Sequence, residues 1–277
     1  MAAPTAISTA EDVGNILSME HINVTIPDQQ LSTLFYIVGM GFTRDPYMNV
    51  GLENMWVNIG EQQLHLPTSA RPQVLRGHTG IVIPRLEELK ARLEQVAPRL
   101  GETSFAWHEE DDHLAVISPW GNVYRVFAPG ERFGTMTLGM PYIEFDVPPG
   151  AAEGIGRFYE QVFESPVAYE RDGDTTAVVR VGPRQTLRFR EGRGPIPAYD
   201  RHHIAIYVGN YSRPFGYCAE HNLVVEEVPQ QFRFTQIVDP ATQAPLFEIE
   251  HEVRNTYHAG YGRRFVNRDP ARPRFAQ

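Results

Sequence analysis

Four times along this chain the same order of patterns recurs: a strand, a helix, then three short strands, with a period of about 60 residues. The first copy opens on MEHINVTIPD, whose apolar and polar residues alternate as in a half-buried strand. QQLSTLFYIVGM follows with Leu31, Leu34, Phe35 and Val38 at helical spacing, then GFTRDPYM, NMWVNIG and QQLHLPT as strands. The second copy runs from GHTGIVIP through the helix RLEELKARLEQVAPRL, striped by Leu86, Leu89, Leu93 and Val96, to TSFAWHEE, HLAVISP and NVYRVFAP. A glycine-rich joint, GERFGTMTLG, separates the halves. The third and fourth copies open on MPYIEFDVPPG and RHHIAIYVGN, take AAEGIGRFYEQVFE and SRPFGYCAEHN as helices, and close on QTLRFRE and PLFEIEHEV. The first and third opening strands both follow Met and end on a proline turn.

Alternation assigns faces. Successive side chains of a strand point to opposite sides, so the apolar parity packs on the helices and the other parity looks away. Ile22 and Val24 take the helix side, leaving His21 and Asn23 on the other. Leu64 and Leu66 likewise leave Gln63 and His65; Ile81 and Ile83 leave His78; and the same register in NVYRVF leaves Arg125. In the second half the inward set is Tyr142, Glu144, Arg188, Arg190, His203, Tyr207, Glu248 and Glu250, while His202 falls on the outward parity, at the surface or the edge of the core. A slip of one residue would exchange every assignment.

Bulk properties exclude several classes. A net charge of -9 disfavours a nucleic-acid partner, because neutralising phosphates needs a basic face. No apolar run approaches the roughly 18 residues of a membrane span. The opening MAAPTAISTAEDVGNILS has neither a basic start nor an apolar core, so it reads as a flexible leader over 1–17 rather than a secretory signal. The one cysteine, Cys218, rules out a disulfide framework and a thiolate cluster, and a reducing cytoplasmic location fits. HEEDDH at 108–113 carries charge on both parities, as a solvated strand and turn does. The Arg-, Gly- and Pro-rich tail, 255–277, reads as ordered coil wrapping one domain, with Arg263 or Arg264 able to close over a site.

The strand–helix–three-strand order, HINVTIPD at the start and SPWGNVYRVF at the close of the second copy resemble the vicinal oxygen chelate superfamily, which includes glyoxalase I, bleomycin and fosfomycin resistance proteins and extradiol dioxygenases. The resemblance covers roughly residues 18–254. It implies an α+β fold of four βαβββ modules forming two tandem domains, at 18–130 and 140–254, joined by a linker at 131–139, with paired modules curling their sheets into cups. His21, His65, His78 and Arg125 then stand at the four positions where the superfamily places metal ligands.

Three imidazoles can hold a divalent metal and leave positions open for substrate. Fe(II) is favoured by the likeness to the dioxygenases, with Mn(II), Zn(II) or Ni(II) as alternatives. Arg125 departs from the glutamate of the family pattern: a dication and a guanidinium about 6 Å apart repel by on the order of 5 kcal/mol at an effective dielectric near 20. Arg125 therefore neutralises substrate charge rather than binding metal, with Gln63 or Asn23 orienting the substrate. In the second half His203 and Glu248 match the family's ligand positions and Tyr142 does not, so this half reads as a supporting network or as the alternative site, with Arg188 and Tyr142 as further substrate contacts.

The sequence thus supports a dioxygenase-like oxidoreductase acting on a small oxygenated, acidic or aromatic substrate. A glyoxalase-like lyase or isomerase and a metal-free binding protein of the resistance type stand beside it. Pairing of modules between two chains, as a homodimer, is a further state that the resemblance allows.

Overall fold

The computed structural model describes residues 12–48, 51, 53–192 and 194–268. The leader expected over 1–17 lies outside them up to residue 11, and β1 (Ile16–Asn23) already begins within it. The first module continues with α1 (Gln29–Ser32, then π-helical turns over Thr33–Gly39), β2 (Thr43–Arg44), β3 (Asn54–Ile59) and β4 (Gln62–Pro67). The second has β5 (Gly77–Val82), α2 (Leu86–Leu100), β6 (Ala106–Glu109), β7 (Leu114–Ile117) and β8 (Val123–Phe127). The third has β9 (Gly139–Val147), α3 (Ala152–Phe163), β10 (Val167–Asp172), β11 (Asp174–Gly182) and β12 (Gln185–Glu191). The fourth has β13 (His203–Val208), α4 (Ser212–Glu220), β14 (Val224–Val228), β15 (Gln231–Val238) and β16 (Pro245–Asn255). The α+β class and the fourfold module order are therefore present as read.

Local chemistry explains the helix ends and one departure. Asp28 caps α1 by accepting from Gln30 and Leu31 N–H at 2.7 and 2.9 Å, satisfying donors that have no partner within the helix. The stripe expected at Leu31, Leu34, Phe35 and Val38 assumed 3.6 residues per turn. The π-helical turns are wider, so the buried face becomes Leu34, Phe35, Tyr36 and Gly39, and Val38 is 42% exposed. In α2 the buried set is Leu89, Leu93, Val96 and Leu100, with Leu86 half-buried at the first turn.

The modules join as two eight-stranded sheets, in the orders β14-β15-β16-β13-β1-β4-β3-β2 and β10-β11-β12-β9-β5-β8-β7-β6. By packing contacts the described residues divide into two compact units, one of residues 12–20, 144–199 and 203–262, the other of 21–143, 200–202 and 263–268. Strands β1 and β9 each run through both.

Register confirms the parity reading in module one. β1 pairs in parallel with β4, setting His21 beside Gln63 and Asn23 beside His65. β3 runs antiparallel to β4, with Asn58 opposite Gln63 and Trp56 opposite His65. Two buried glutamines at the starts of closing strands tie down the two methionines noted in the sequence. Gln62 Oε1 accepts from Met140 N–H (2.9 Å), and the Gln185 amide accepts from Met19 N–H (3.2 Å) and donates to Met19 C=O (3.1 Å). Such a side chain replaces a pair of ladder hydrogen bonds and leaves no buried backbone group orphaned.

No helix among the described residues is long and apolar enough to cross a membrane. Cys218 is fully buried on the inner face of α4, and burial pushes its thiol up to about 12. Gln185→Ala should cost about 1–3 kcal/mol in urea unfolding, because it strips two hydrogen bonds from a buried backbone unit. Cys218 should stay silent to a thiol-specific disulfide reagent at pH 8 in the native protein and react stoichiometrically in urea, since only the thiolate attacks; rapid native labelling would contradict the burial.

Candidate functional site

On the sheet that joins modules one and four, β16, β13 and β1 are consecutive strands. β13 and β16 pair in parallel, with His203 beside Glu250, Ala205 beside Glu252 and Tyr207 beside Arg254, so these residues share one face. His251 has the opposite parity and points into the core, where its ring stacks on Phe234 and receives the Tyr159 hydroxyl (2.6 Å). His203 lies 3.4 Å from Glu250 through Nδ1 and 3.5 Å from Glu252 through Nε2. One ligand atom each from His21, His203 and Glu252 lie within 4.8 Å of one another, and all three residues are buried.

Two arginines hold the carboxylates in place. Arg233, opposite Glu252 on β15, donates to both Glu252 and Glu250, the latter at 2.7 Å. Arg254 pairs with Glu252 through one nitrogen and with Glu20 through another. The Tyr207 hydroxyl donates to Glu20 (3.0 Å), and burial, reinforced by the Glu20 charge, raises its pKa so that it stays a phenol. Gly260 packs against this group: a Cβ there would sit 2.6 Å from the Tyr207 oxygen. Next to it, His258 Nδ1 lies 3.1 Å from the Tyr207 hydroxyl and accepts Gly260 N–H at the same distance.

Burial raises the Glu250 pKa, Arg233 opposes the rise, and Glu252 and Glu226 add to it. Two imidazoles and a carboxylate are a donor set that first-row divalent metals accept.

Around His21 the surroundings are aromatic. Its ring meets Trp56 and His65 edge-on, at centroid distances of 4.9 and 5.9 Å, and His65 stacks flat on Trp56 at 3.9 Å. His65 Nε2 donates to Asn54 Oδ1 (2.7 Å). Gln63 donates to Asn58 (2.6 Å) and to Asp45 (3.0 Å), and Asp45 also receives Arg263 (2.6 Å). The tail thus closes over module one through Arg263, while Val266 C=O accepts from Asn58 and Asn267 brackets Gly60.

No family model matches this sequence, and no curated protein does. Among solved structures, glyoxalase I from Zea mays superposes with a TM-score of 0.59 over 86% of this chain and 92% of that one, at 12% identity. A protein of Bacillus subtilis named only provisionally as a dioxygenase superposes with a TM-score of 0.55 over 87% and 86%, at 14% identity. Identities this low speak for the fold alone. The fold is similar to that of glyoxalase I.

Within this fold the residues singled out in the sequence part company. His21 joins the buried group, and so does His203 of the alternative set. His78 and Arg125 stand on the other sheet, where His78 Nε2 meets the Tyr142 hydroxyl at 3.2 Å. The ring of Tyr142 occupies the space that a side chain on Gly80 would need, 2.2 Å from its Cβ position. His65 shares the face with His21 but is engaged by Asn54 and Trp56; Asn23 is buried beside it in the register. Arg188 lies between Glu144 (2.9 Å) and Glu170 (2.5 Å), the supporting network read for that half. Glu248 is exposed near the start of β16, two pairs along the same face from Glu252. His202 is fully buried with its Nδ1 2.6 Å from Asp200, and so belongs to the core edge rather than the surface. In HEEDDH, His108 and His113 each pair with a neighbouring exposed carboxylate.

Glu252, Glu20, Arg233 and Arg254 escaped the sequence reading. EIEHEVR shows three carboxylates of equal parity, and only the register against β13 selects among them. Strict alternation would send Glu20 to the helix side with Ile22, yet it reaches Arg254 and Tyr207. Glu252→Gln should destabilise the protein by on the order of 3 kcal/mol in chemical unfolding, since it leaves two largely buried guanidiniums short of a counter-charge. Glu248→Gln, at an exposed position, should stay within about 0.5 kcal/mol of wild type.

Proposed function

We propose that this chain is a metal-dependent enzyme of the vicinal oxygen chelate type, with a divalent ion held by His21, His203 and Glu252 and a small oxygenated substrate. The observation that carries the reading is the convergence of two imidazoles and one carboxylate, all three buried. Two histidines and a carboxylate form the donor set of non-haem iron oxygenases, which favours Fe(II) and an oxygen-dependent reaction over zinc chemistry. The bound ion would supply Lewis acidity and open coordination positions for substrate oxygen.

The chain's own residues do the rest. Arg233 and Arg254 fix the Glu252 carboxylate, so that its orientation does not depend on the ion. A bound dication would favour an anionic substrate such as an enolate or catecholate. The stacked pair Trp56 and His65 beside His21 suits a planar substrate. Tyr207, held as a phenol donating to Glu20, contributes a fixed dipole rather than a base.

One observation favours an isomerase of the glyoxalase type instead. Glu250, 3.4 Å from His203, has a carboxyl pKa displaced upward toward the range of a working base. Oxygen uptake separates the two readings, because an isomerase consumes none.

Metal content by mass spectrometry, after purification and after anaerobic reconstitution with Fe(II), tests the site. Near-stoichiometric metal should be present in wild type and in His78→Ala and absent from His21→Ala and His203→Ala. Retention in His203→Ala with loss in His78→Ala would return the site to the three-histidine set. No metal in any sample would leave the binding-protein reading in front.

A further inference from the structure

Asp45, just after β2, is a carboxylate with only 3% of its surface exposed. Its Oδ1 accepts the N–H groups of Tyr47 and Met48, each at 2.8 Å, and its Oδ2 accepts Gln63 Nε2 (3.0 Å) and the Arg263 guanidinium (2.6 Å). Tyr47, Met48 and Gln63 all belong to module one. Arg263 is the one cation paired with Asp45 among the described residues, and it arrives from the tail, 218 positions along the chain. Gln63 is fixed in turn by Asn58 (2.6 Å), so the carboxylate and the amide beside it are oriented without help from the tail.

The tail holds on by polar contacts. Val266 C=O accepts from Asn58 Nδ2 (2.9 Å), and Asn267 brackets Gly60, accepting its N–H (3.0 Å) and donating to its C=O (2.7 Å). Thr43 Oγ1 accepts Arg268 N–H (2.9 Å). No residue of 263–268 is buried, and Val266 is 44% exposed. Gly262, at φ +68° with open space where a Cβ would stand, leads into the segment. Lifting such a segment exchanges its hydrogen bonds for bonds to water, a small net change, and returns little apolar side chain of its own to solvent. Segments of this kind open well before a domain unfolds.

An enclosed carboxylate left without its cation is costly, so the module-one donors around Asp45 make a site that demands a cation whether the tail is there or not. A guanidinium suits it better than an ammonium, being more weakly hydrated and carrying several donors in one plane. We propose that Asp45 and Gln63 form a guanidinium-binding site, that Arg263 fills it as an internal ligand, and that residues 263–268 are a strap which a guanidinium compound displaces. Gln63 is the register partner of His21, so the strap closes the polar face of β4 beside that histidine. The inference needs no bound metal and shares no residue with the metal group.

Titration of the full-length protein with ethylguanidinium chloride tests it, with ethylammonium chloride as the control for charge and ionic strength. Ethylguanidinium should bind saturably to Arg263→Ala, and about tenfold more weakly to wild type, where the tethered guanidinium competes at high effective concentration. Ethylammonium should bind neither as well. Adding Asp45→Asn to Arg263→Ala should abolish binding. Amide exchange then reads the strap: in wild type, ethylguanidinium should speed exchange at Gly60 and Arg268, whose N–H groups bond across it, and leave Tyr47 and Met48 protected by Asp45. Equal affinity for wild type and Arg263→Ala, no saturable binding to either, binding that survives Asp45→Asn, or unchanged exchange at Gly60 and Arg268 would each overturn the proposal. If the double variant fails to fold, the comparison of wild type with Arg263→Ala decides.

Discussion

A carboxylate buried between two guanidiniums is the interaction around which one end of this molecule is organised. Glu252 cannot be removed from water unpaired, and Arg233 and Arg254 each take one of its oxygens. That arrangement then recruits Glu250 and Glu20 to use the remaining donors of the arginines, and Glu20 in turn orders Tyr207. Each added acid finds an arginine within the group. Buried ion networks contribute little net stability compared with apolar packing and are strongly destabilised when one member is lost. Their retention here is better understood as positioning: the carboxylate beside His203 and His21 is held in one orientation by covalently fixed partners.

The sheet order decides which residues can cooperate. β13 and β16 pair in parallel, so His203 lies beside Glu250 and shares its face with Glu252. The same order places β5 and β8 on the second sheet, where His78 meets Tyr142 and Arg188 is occupied by Glu144 and Glu170. Four similar modules therefore carry two unlike polar faces, one with carboxylates and arginines beside imidazoles, the other with the His78–Tyr142 contact and the Arg188 pairs. Repetition supplied the scaffold, and divergence at single face positions separated the roles.

Much of the architecture was legible before any coordinates, and for identifiable reasons. Alternation is local, so Ile22, Val24, Leu64 and Leu66 marked the helix side and thereby exposed His21, Gln63 and His65 as a set, which the register of β1 and β4 reproduces. Where local rules were replaced by another geometry the reading slipped. The wide turns of α1 moved Val38 out of the buried stripe and Tyr36 into it. At Glu20 an acidic residue of the apolar parity reaches the polar face, which period-two reasoning does not foresee.

What the sequence determined by itself was the repeated βαβββ unit, the mixed α+β class and the polar parity of each strand, because all three follow from periodicity within a dozen residues. What only the tertiary structure decided was the register between strands far apart in the chain, and hence which polar residues become neighbours. Backbone hydrogen bonds that join sheet neighbours are the same for any pair of strands and leave no mark in the residue pattern. Choosing Glu252 from three glutamates of equal parity needed the register of β16 on β13, and closing Arg263 onto Asp45 needed the path of the tail. Each depends on contacts between residues far apart in the chain, and local pattern carries no information about those.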